Sequence, residues 1–323
     1  MHIKNTYTCR KGDKKEMKRV HRILLITASG LIVMGAALGG AALLMGAGSA
    51  KDVSYLTETV NAQSIRIYSG YDDIVIESSD SDEITISYPE DRQCETSGEN
   101  GKFEMVLKNK TFDILEWYKH VDISFKAEKT AVILRLPTDF SGQLTAESAG
   151  ADIEVSGINA GSMELESRDG NIISENSVCE ISAKSTSGDV YISGKGKSAS
   201  AESEHGDMNV RTAEYEIVSL SSQSGDIEMN DISANAVYLN NNSGEITGES
   251  VESGSIDILN DYGDTVLNRI KPGMLRAESR YGDINLGLMG KGTDYSVNGI
   301  TEAQNRIYIN SEYGDVNVEY ISE

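Results

Sequence analysis

One phrase returns through most of the chain: Ser or Asn, two variable residues, Gly, Asp, an aliphatic, any residue, an aliphatic. It reads STSGDVYI at Ser185–Ile192, SEHGDMNV at Ser203–Val210, SQSGDIEM at Ser222–Met229 and SRYGDINL at Ser279–Leu286, with looser copies between and around these. With the Gly as reference, the copies fall at Ala151, Gly170, Gly188, Gly206, Gly225, Gly244, Gly263, Gly282 and Gly314. Successive spacings are 19, 18, 18, 19, 19, 19, 19 and 32 residues. An upstream copy, SGYDDIVI at Ser69–Ile76, carries Asp72 at the reference position. A fixed period of this length is the mark of one supersecondary unit repeated and stacked on itself.

Around each reference residue the apolar positions alternate with period two, which is strand geometry. Seven and five places before it stand pairs such as Ile181/Ala183, Val218/Leu220, Val237/Leu239 and Ile256/Ile258. Two and four places after it stand Ile153/Val155, Val190/Ile192, Ile227/Met229 and Val316/Val318. Seven places after it a corner residue also points inward: Ile158, Ile232, Val251, Ile270 or Met289. No helical periodicity follows residue 50. One unit cannot bury its own apolar row, but units stacked about 4.8 Å apart can, because each strand bonds to its equivalents above and below. The expected fold is all-β, a single-stranded β-solenoid with coils of about 19 residues. A propeller blade would need about 40 residues and a sandwich less regular spacing, so these rank second and third. The Ser or Asn three places before each reference residue is expected to form a hydrogen-bonded column at the bends.

Two stretches break the rhythm. Between Glu77 and Pro137 lie strand-like runs at Glu83–Ser87, Phe103–Leu107, Asp122–Phe125 and Ala131–Leu136, together with Trp117, read as strands that cap or interrupt the rod. The long interval around Lys291–Asn305 is read as a loop or irregular coil.

The N-terminus has a different character. Lys4 to Arg22 holds eight basic and two acidic residues, and no charge follows from Ile23 to Ala50. This uncharged run of 28 residues exceeds the ~20 apolar residues that span a bilayer, so it reads as a transmembrane helix. The basic flank places the short N-terminus in the cytoplasm and Lys51 onward outside. An uncleaved anchor is preferred to a signal peptide cut near Gly48-Ser49-Ala50, because the apolar region is longer than a cleaved signal uses. The glycine pair Gly35/Gly39 is no more than so Gly-rich a run supplies by chance. The expected organisation is a basic cytoplasmic segment (1–22), an anchor (23–50), a linker (51–62), an N-terminal β region and cap (63–140) and the repeat domain (141–323), a single-pass protein of the cell membrane.

Charge restricts the partners. Against 29 Lys+Arg stand 51 Asp+Glu, and of these 21 basic and 49 acidic residues follow residue 50, a balance of -28. Such a surface repels polyphosphate, so a nucleic-acid partner is not expected. Three cysteines, Cys9, Cys94 and Cys179, do not make a disulfide framework.

The stretch AVILRLPTDFSGQLTAESAGADIEVSGINAGSMELESRDGNI (Ala131–Ile172), with its Leu136-Pro137 lead-in and the SGD turns that follow, resembles a bacterial family labelled "putative adhesin". That domain of unknown function includes LiaG-like membrane-anchored proteins of Gram-positive cell-envelope stress operons. The resemblance covers about Asn61–Glu323. It implies an extracytoplasmic β-solenoid, either adhesin-like or an accessory of envelope-stress signalling, and it carries no catalytic residues over to this chain.

Two columns of side chains are the candidate sites. The residue after each reference position is mostly acidic, and Asp189, Asp207, Asp226, Asp264 and Asp283 form the core of that column. The plain reading is that each Asp accepts hydrogen bonds from bend amides while Gly supplies a positive φ. The functional alternative is Ca²⁺ held between neighbouring carboxylates. The residue before the Gly becomes aromatic toward the C-terminus, at Tyr262, Tyr281 and Tyr313, a candidate platform for sugar rings. No cofactor other than that cation is expected. Neither His120 nor His205 has a Cys or His at ligand spacing, and uniform short coils build no cleft, so the chain reads as non-enzymatic, with a polysaccharide-active enzyme the remote alternative. The expected partners are the membrane through the N-terminal helix, and cell-wall glycan or envelope proteins.

Overall fold

The computed structural model describes residues 53–108, 130–299 and 303–322. Its strands are β1 (Tyr55–Val60), β2 (Ser64–Ser69), β3 (Asp73–Ser79), β4 (Ile84–Pro89), β5 (Gln93–Glu99), β6 (Lys102–Lys108), β7 (Ala131–Pro137), β8 (Gln143–Ser148), β9 (Ile153–Ser156) and β10 (Asn159–Ser167). Long strands follow: β11 (Ile172–Ser185), β12 (Val190–Ser203), β13 (Met208–Ser222), β14 (Ile227–Ser243), β15 (Ile246–Tyr262) and β16 (Thr265–Tyr281). The chain ends with β17 (Ile284–Met289), β18 (Tyr295–Val297), β19 (Asn305–Ser311) and β20 (Val316–Ile321).

Each long strand runs from one bend, through a corner, to the next bend. Consecutive coils pair in parallel, with the repeat positions in register: Val190, Met208, Ile227, Ile246 and Thr265 are successive partners. So are Ala199, Val218, Val237, Ile256 and Leu275. Two rows of strands result, one before and one after the bends, with the alternating apolar residues filled in between them. This is a β-solenoid, and its energy comes from those rows: truncating one such buried Leu or Ile to Ala typically costs about 2–5 kcal/mol.

The interposed segment stacks outside the first coil. β2 pairs directly with β8 and β3 with β9, so the 63–140 region and the 141–323 array share one continuous stack. On the far side β6 pairs with β2 and β7 with β3, adding a further rung. Antiparallel strands then finish that end: β4 on β7, β1 on β4 and β5 on β6. Antiparallel pairing ends the parallel array with a different register, which keeps further coils from adding. Trp117, His120 and the strand expected at Asp122–Phe125 lie outside the described residues.

The cap is pinned at Asp72. Where later coils place Gly, this carboxylate is 3% exposed and takes a bidentate grip from the Arg92 guanidinium, with Nε–Oδ2 at 2.9 Å and Nη2–Oδ1 at 2.9 Å. The Thr130 hydroxyl donates to the same carboxylate and accepts from Arg92. That bond to Asp72 raises the Arg92 pKa. A buried pair of this kind is worth little against an apolar replacement, but losing one member typically costs about 3–5 kcal/mol.

Coil length varies at two identifiable places. The second corner carries a left-handed residue in most coils: Asn176 (φ 52°), Thr212 (47°), Asp231 (56°), Ser250 (59°) and Arg269 (53°). Ser193 alone faces the pairs Glu175–Asn176 and Arg211–Thr212 of the neighbouring coils, so the Gly188 coil is one residue short there. The Gly170 coil is one residue short beyond the corner, where Cys179 and Glu180 face three residues. β17 has no such left-handed residue, so its inward position is Leu288, and Met289, expected inside, is half-exposed. The interval after Gly282 holds a 3-10 turn, Gly292–Asp294, and β18.

No helix long and apolar enough to cross a membrane occurs among the described residues. The transmembrane run expected at 23–50 lies outside them.

Candidate functional site

The bends concentrate the repeated polar chemistry, and close approach is what demands Gly there. A Cβ built on Gly170, Gly188, Gly206, Gly225, Gly244, Gly263, Gly282 or Gly314 would stand 2.0–2.3 Å from the carbonyl oxygen of the equivalent residue one coil earlier. Only Gly225, Gly244 and Gly263 have positive φ, at 150°, 141° and 142°. The expectation that Gly serves a left-handed bend therefore holds at three positions, and the stacked carbonyl is the general reason.

Two bonding modes serve the bend. In the earlier coils a buried serine hydroxyl accepts from the amide three residues on: Ser148 from Ala151 (2.8 Å), Ser167 from Gly170 (3.0 Å), Ser185 from Gly188 (2.8 Å) and Ser203 from Gly206 (2.8 Å). From Gly225 the peptide is turned, and the Gly N–H donates to the next coil, at Ser243 O (3.0 Å), Tyr262 O (2.9 Å) and Tyr281 O (3.2 Å). There Asn241 and Asn260 donate from Nδ2 to the carbonyls of Gly225 (3.0 Å) and Gly244 (3.2 Å). The hydrogen bonds of the Ser/Asn column thus go to the backbone of the bends. The Ser222 and Ser279 hydroxyls are buried without a partner among the described residues.

The acidic column is a ladder along the rod. Asp189 Oδ1 accepts from the Asp207 amide (2.9 Å), Asp207 from Asp226 (2.8 Å), Asp226 from Glu245 (2.8 Å), Asp264 from Asp283 (2.8 Å) and Asp283 from Asp315 (2.8 Å). Asn171 occupies the same place with a neutral acceptor, bonding the Asp189 amide at 2.9 Å. One oxygen of each of these five aspartates is therefore spent on the next coil, which offsets repulsion between like charges stacked about 5 Å apart. Among the described residues no three His, Cys, Asp or Glu side chains converge as a metal would need.

The three tyrosines are brought together, face to face. Tyr262 and Tyr281 stack at 5.0 Å and 14°, Tyr281 and Tyr313 at 4.9 Å and 7°. They cover one another's ring faces, leaving edges and hydroxyls to solvent. A sugar ring can lie flat only on an outer face of the stack.

Sequence reasoning did not find the lateral grooves. One, of about 500 Å³, follows the second corner past Asn176, Val178, Gly194, Thr212, Ala213 and Asp231, where the Gly188 coil lacks the corner residue. Another, of about 350 Å³, crosses the flat face over Thr145, Ser162, Glu164, Ser182 and Ser200. The short spacings and the pair Gly194/Gly196 were the only signals of the first. Gly196 leaves room for the Tyr215 ring, whose hydroxyl is buried without a partner among the described residues and whose pKa burial raises. On the outer face Glu228 is bonded by Asn230, Arg211 and Asn209, and the Asn230 bond chiefly lowers its pKa. Cys94 and Cys179 are free thiols.

Several solved structures are similar in chain path. One, titled a putative adhesin from Bacteroides fragilis NCTC 9343, is 15% identical with a TM-score of 0.43, covering 83% of this chain and 97% of its own. Another, titled a putative lipid binding protein from Parabacteroides distasonis ATCC 8503, is 13% identical with a TM-score of 0.41, covering 84% of this chain and 98% of its own. A putative cell adhesion protein from Clostridium sporogenes ATCC 15579 is 10% identical with a TM-score of 0.24, covering 84% and 100%. No curated protein matches the chain. The profile of Toastrack DUF4097 matches residues 62–319, from the first coil through the last, and bears out the resemblance read from Ala131–Ile172. The chain belongs to the Toastrack DUF4097 family.

Proposed function

We propose that this protein is a non-enzymatic surface rod, anchored in the cell membrane by residues 23–50, that contacts envelope glycans or surface proteins along its flank. The observation that carries this reading is the distribution of polar groups. At the bends they are committed to holding coil on coil, and what remains open to a partner is a run of shallow lateral grooves and the edge of the tyrosine stack. Shallow grooves repeated along a rod suit an extended partner gripped at many weak points, because linked weak contacts add as avidity. A balance of -28 after residue 50 favours neutral glycan or basic protein over anionic polymer. Catalysis needs two titratable groups in different environments, and repeated coils make neighbouring environments alike.

Co-sedimentation of the detergent-solubilised full chain with purified cell wall tests this. Retention on the wall, reduced several-fold by Tyr281→Ala with Tyr313→Ala, is the expected result. Capture only by membrane proteins would favour the stress-signalling accessory instead.

A further inference from the structure

Among the described residues the two rows have four ends, and they differ in what each presents. At the first-coil end β1 and β5 lie antiparallel on their rows; β1 carries Glu58 flanked by threonines beside the exposed Tyr55 and Leu56, and β5 carries Glu95, Thr96 and Ser97. At the other end β19 is covered by β18, and the Asn298 side chain takes both backbone groups of Ile309, its Oδ1 accepting at 3.0 Å and its Nδ2 donating at 3.2 Å. The fourth end, β20, pairs with β17 on one side only among the described residues. Its inward residues Val316, Val318 and Tyr320 continue the columns of Ile284, Leu286 and Leu288. Val316 is 46% exposed and Tyr320 44%, where Ile284 and Leu288 are at 0%. A core row and an unpaired strand edge thus end together in solvent.

We propose that this edge is a self-association surface, on which β20 of a second copy of the chain pairs antiparallel with β20 of the first, tail to tail. The occupant follows from three features of the strand. Ile284 N–H donates to Asp315 O and Gly290 N–H to Ile321 O, both at 2.9 Å, so the odd-numbered residues turn their backbone toward β17. In a parallel strand the alternate residues then face the other way, which leaves the N–H and C=O of Val316, Val318 and Tyr320 on the free edge. Antiparallel pairing about a two-fold axis at Val318 sets Val318 opposite its own copy and Val316 opposite Tyr320. Every free backbone group then meets a complementary one, and the two exposed apolar rows become continuous. The same register places Asn317 opposite Glu319, so no two carboxylates face each other directly. A shift by two residues toward the C-terminus would oppose Glu319 to Glu319. An isologous contact of this kind closes after two copies and builds no fibre.

The test is sedimentation velocity on the full-length protein in detergent micelles over about a hundredfold range of concentration, since a reversible dimer must respond to mass action. A monomer–dimer equilibrium is expected, weakened at least about tenfold by Val318→Pro, which removes the outward N–H at the two-fold centre from an edge where proline is tolerated. Hydrogen exchange on the unaltered protein is the second readout, independent of how the variant folds. The amides of Val316, Val318 and Tyr320 should gain protection as concentration rises, while those of Asn317 and Glu319 should not change. A monomer at every concentration, a dimer that Val318→Pro leaves intact, or protection of the three amides that is independent of concentration, as a segment of the same chain would give, overturns the proposal.

Discussion

A methyl group is the smallest probe of how these coils fit. At Gly206 a Cβ would meet the Gly188 carbonyl oxygen at 2.1 Å, a backbone atom that cannot swing away. Gly206→Ala must therefore spread two coils, and overpacking of this kind costs about 3 kcal/mol. Gly98→Ala is the control, because its Cβ would find Lys102 O at 3.7 Å, ordinary contact, and stability should stay within about 0.5 kcal/mol. Urea midpoints of the two variants check the pair. Cys179 probes burial instead of contact. Surrounding apolar groups push its thiol up to about 11 from an ordinary value near 9. The neutral form is thus the one the fold favours, and its contribution is complete below pH 9. It falls as pH rises toward 11, because the unfolded chain then loses a proton that the folded chain keeps. Measured by denaturant midpoint, the unaltered protein should lose stability relative to Cys179→Ala across that interval, by about 2 kcal/mol at its end.

The ladder of acidic residues is an element in its own right, and its geometry separates charge from hydrogen bonding. Asp207 accepts from the Asp226 amide at 2.8 Å and donates its own amide to Asp189 at 2.9 Å. Asp207→Asn retains the acceptor oxygen, as native Asn171 does, and relieves stacked like charge, so thermal unfolding should show stability unchanged or raised. Asp207→Ala leaves the Asp226 amide to water and should cost about 1 kcal/mol. The bends were legible from the sequence because Ser, Gly and Asp recur at fixed offsets, and each has a separate physical reason to be there. The direction of the Asp bond was not, since parity says which way a side chain faces but not which coil it serves. The second corner was illegible for a different reason: Asn176, Thr212, Asp231, Ser250 and Arg269 share a left-handed backbone and no side-chain chemistry. Cap pairing escaped too, because β6 finds β2 and Arg92 finds Asp72 through non-local contacts that no periodicity records.

At the scale of the whole molecule the dominant quantity is charge. Residues after position 50 carry -28, on a rod whose coils repeat the same acidic position. Like charges held close in the fold and farther apart in the unfolded chain oppose folding, and added salt screens that opposition over about 10 Å at 0.1 M. The melting temperature should therefore rise with ionic strength. The identity of the cation decides whether the acidic column does more than hold coils together. With one oxygen of Asp189, Asp207, Asp226, Asp264 and Asp283 bonded to the next coil, and no three ligands convergent among the described residues, Ca²⁺ is expected to be attracted diffusely. Sodium and calcium chlorides at matched ionic strength should then raise the melting temperature equally in calorimetry. An excess rise with calcium that Asp207→Asn together with Asp226→Asn abolishes would instead establish the column as a cation site, and would make the free oxygens of those carboxylates its ligands.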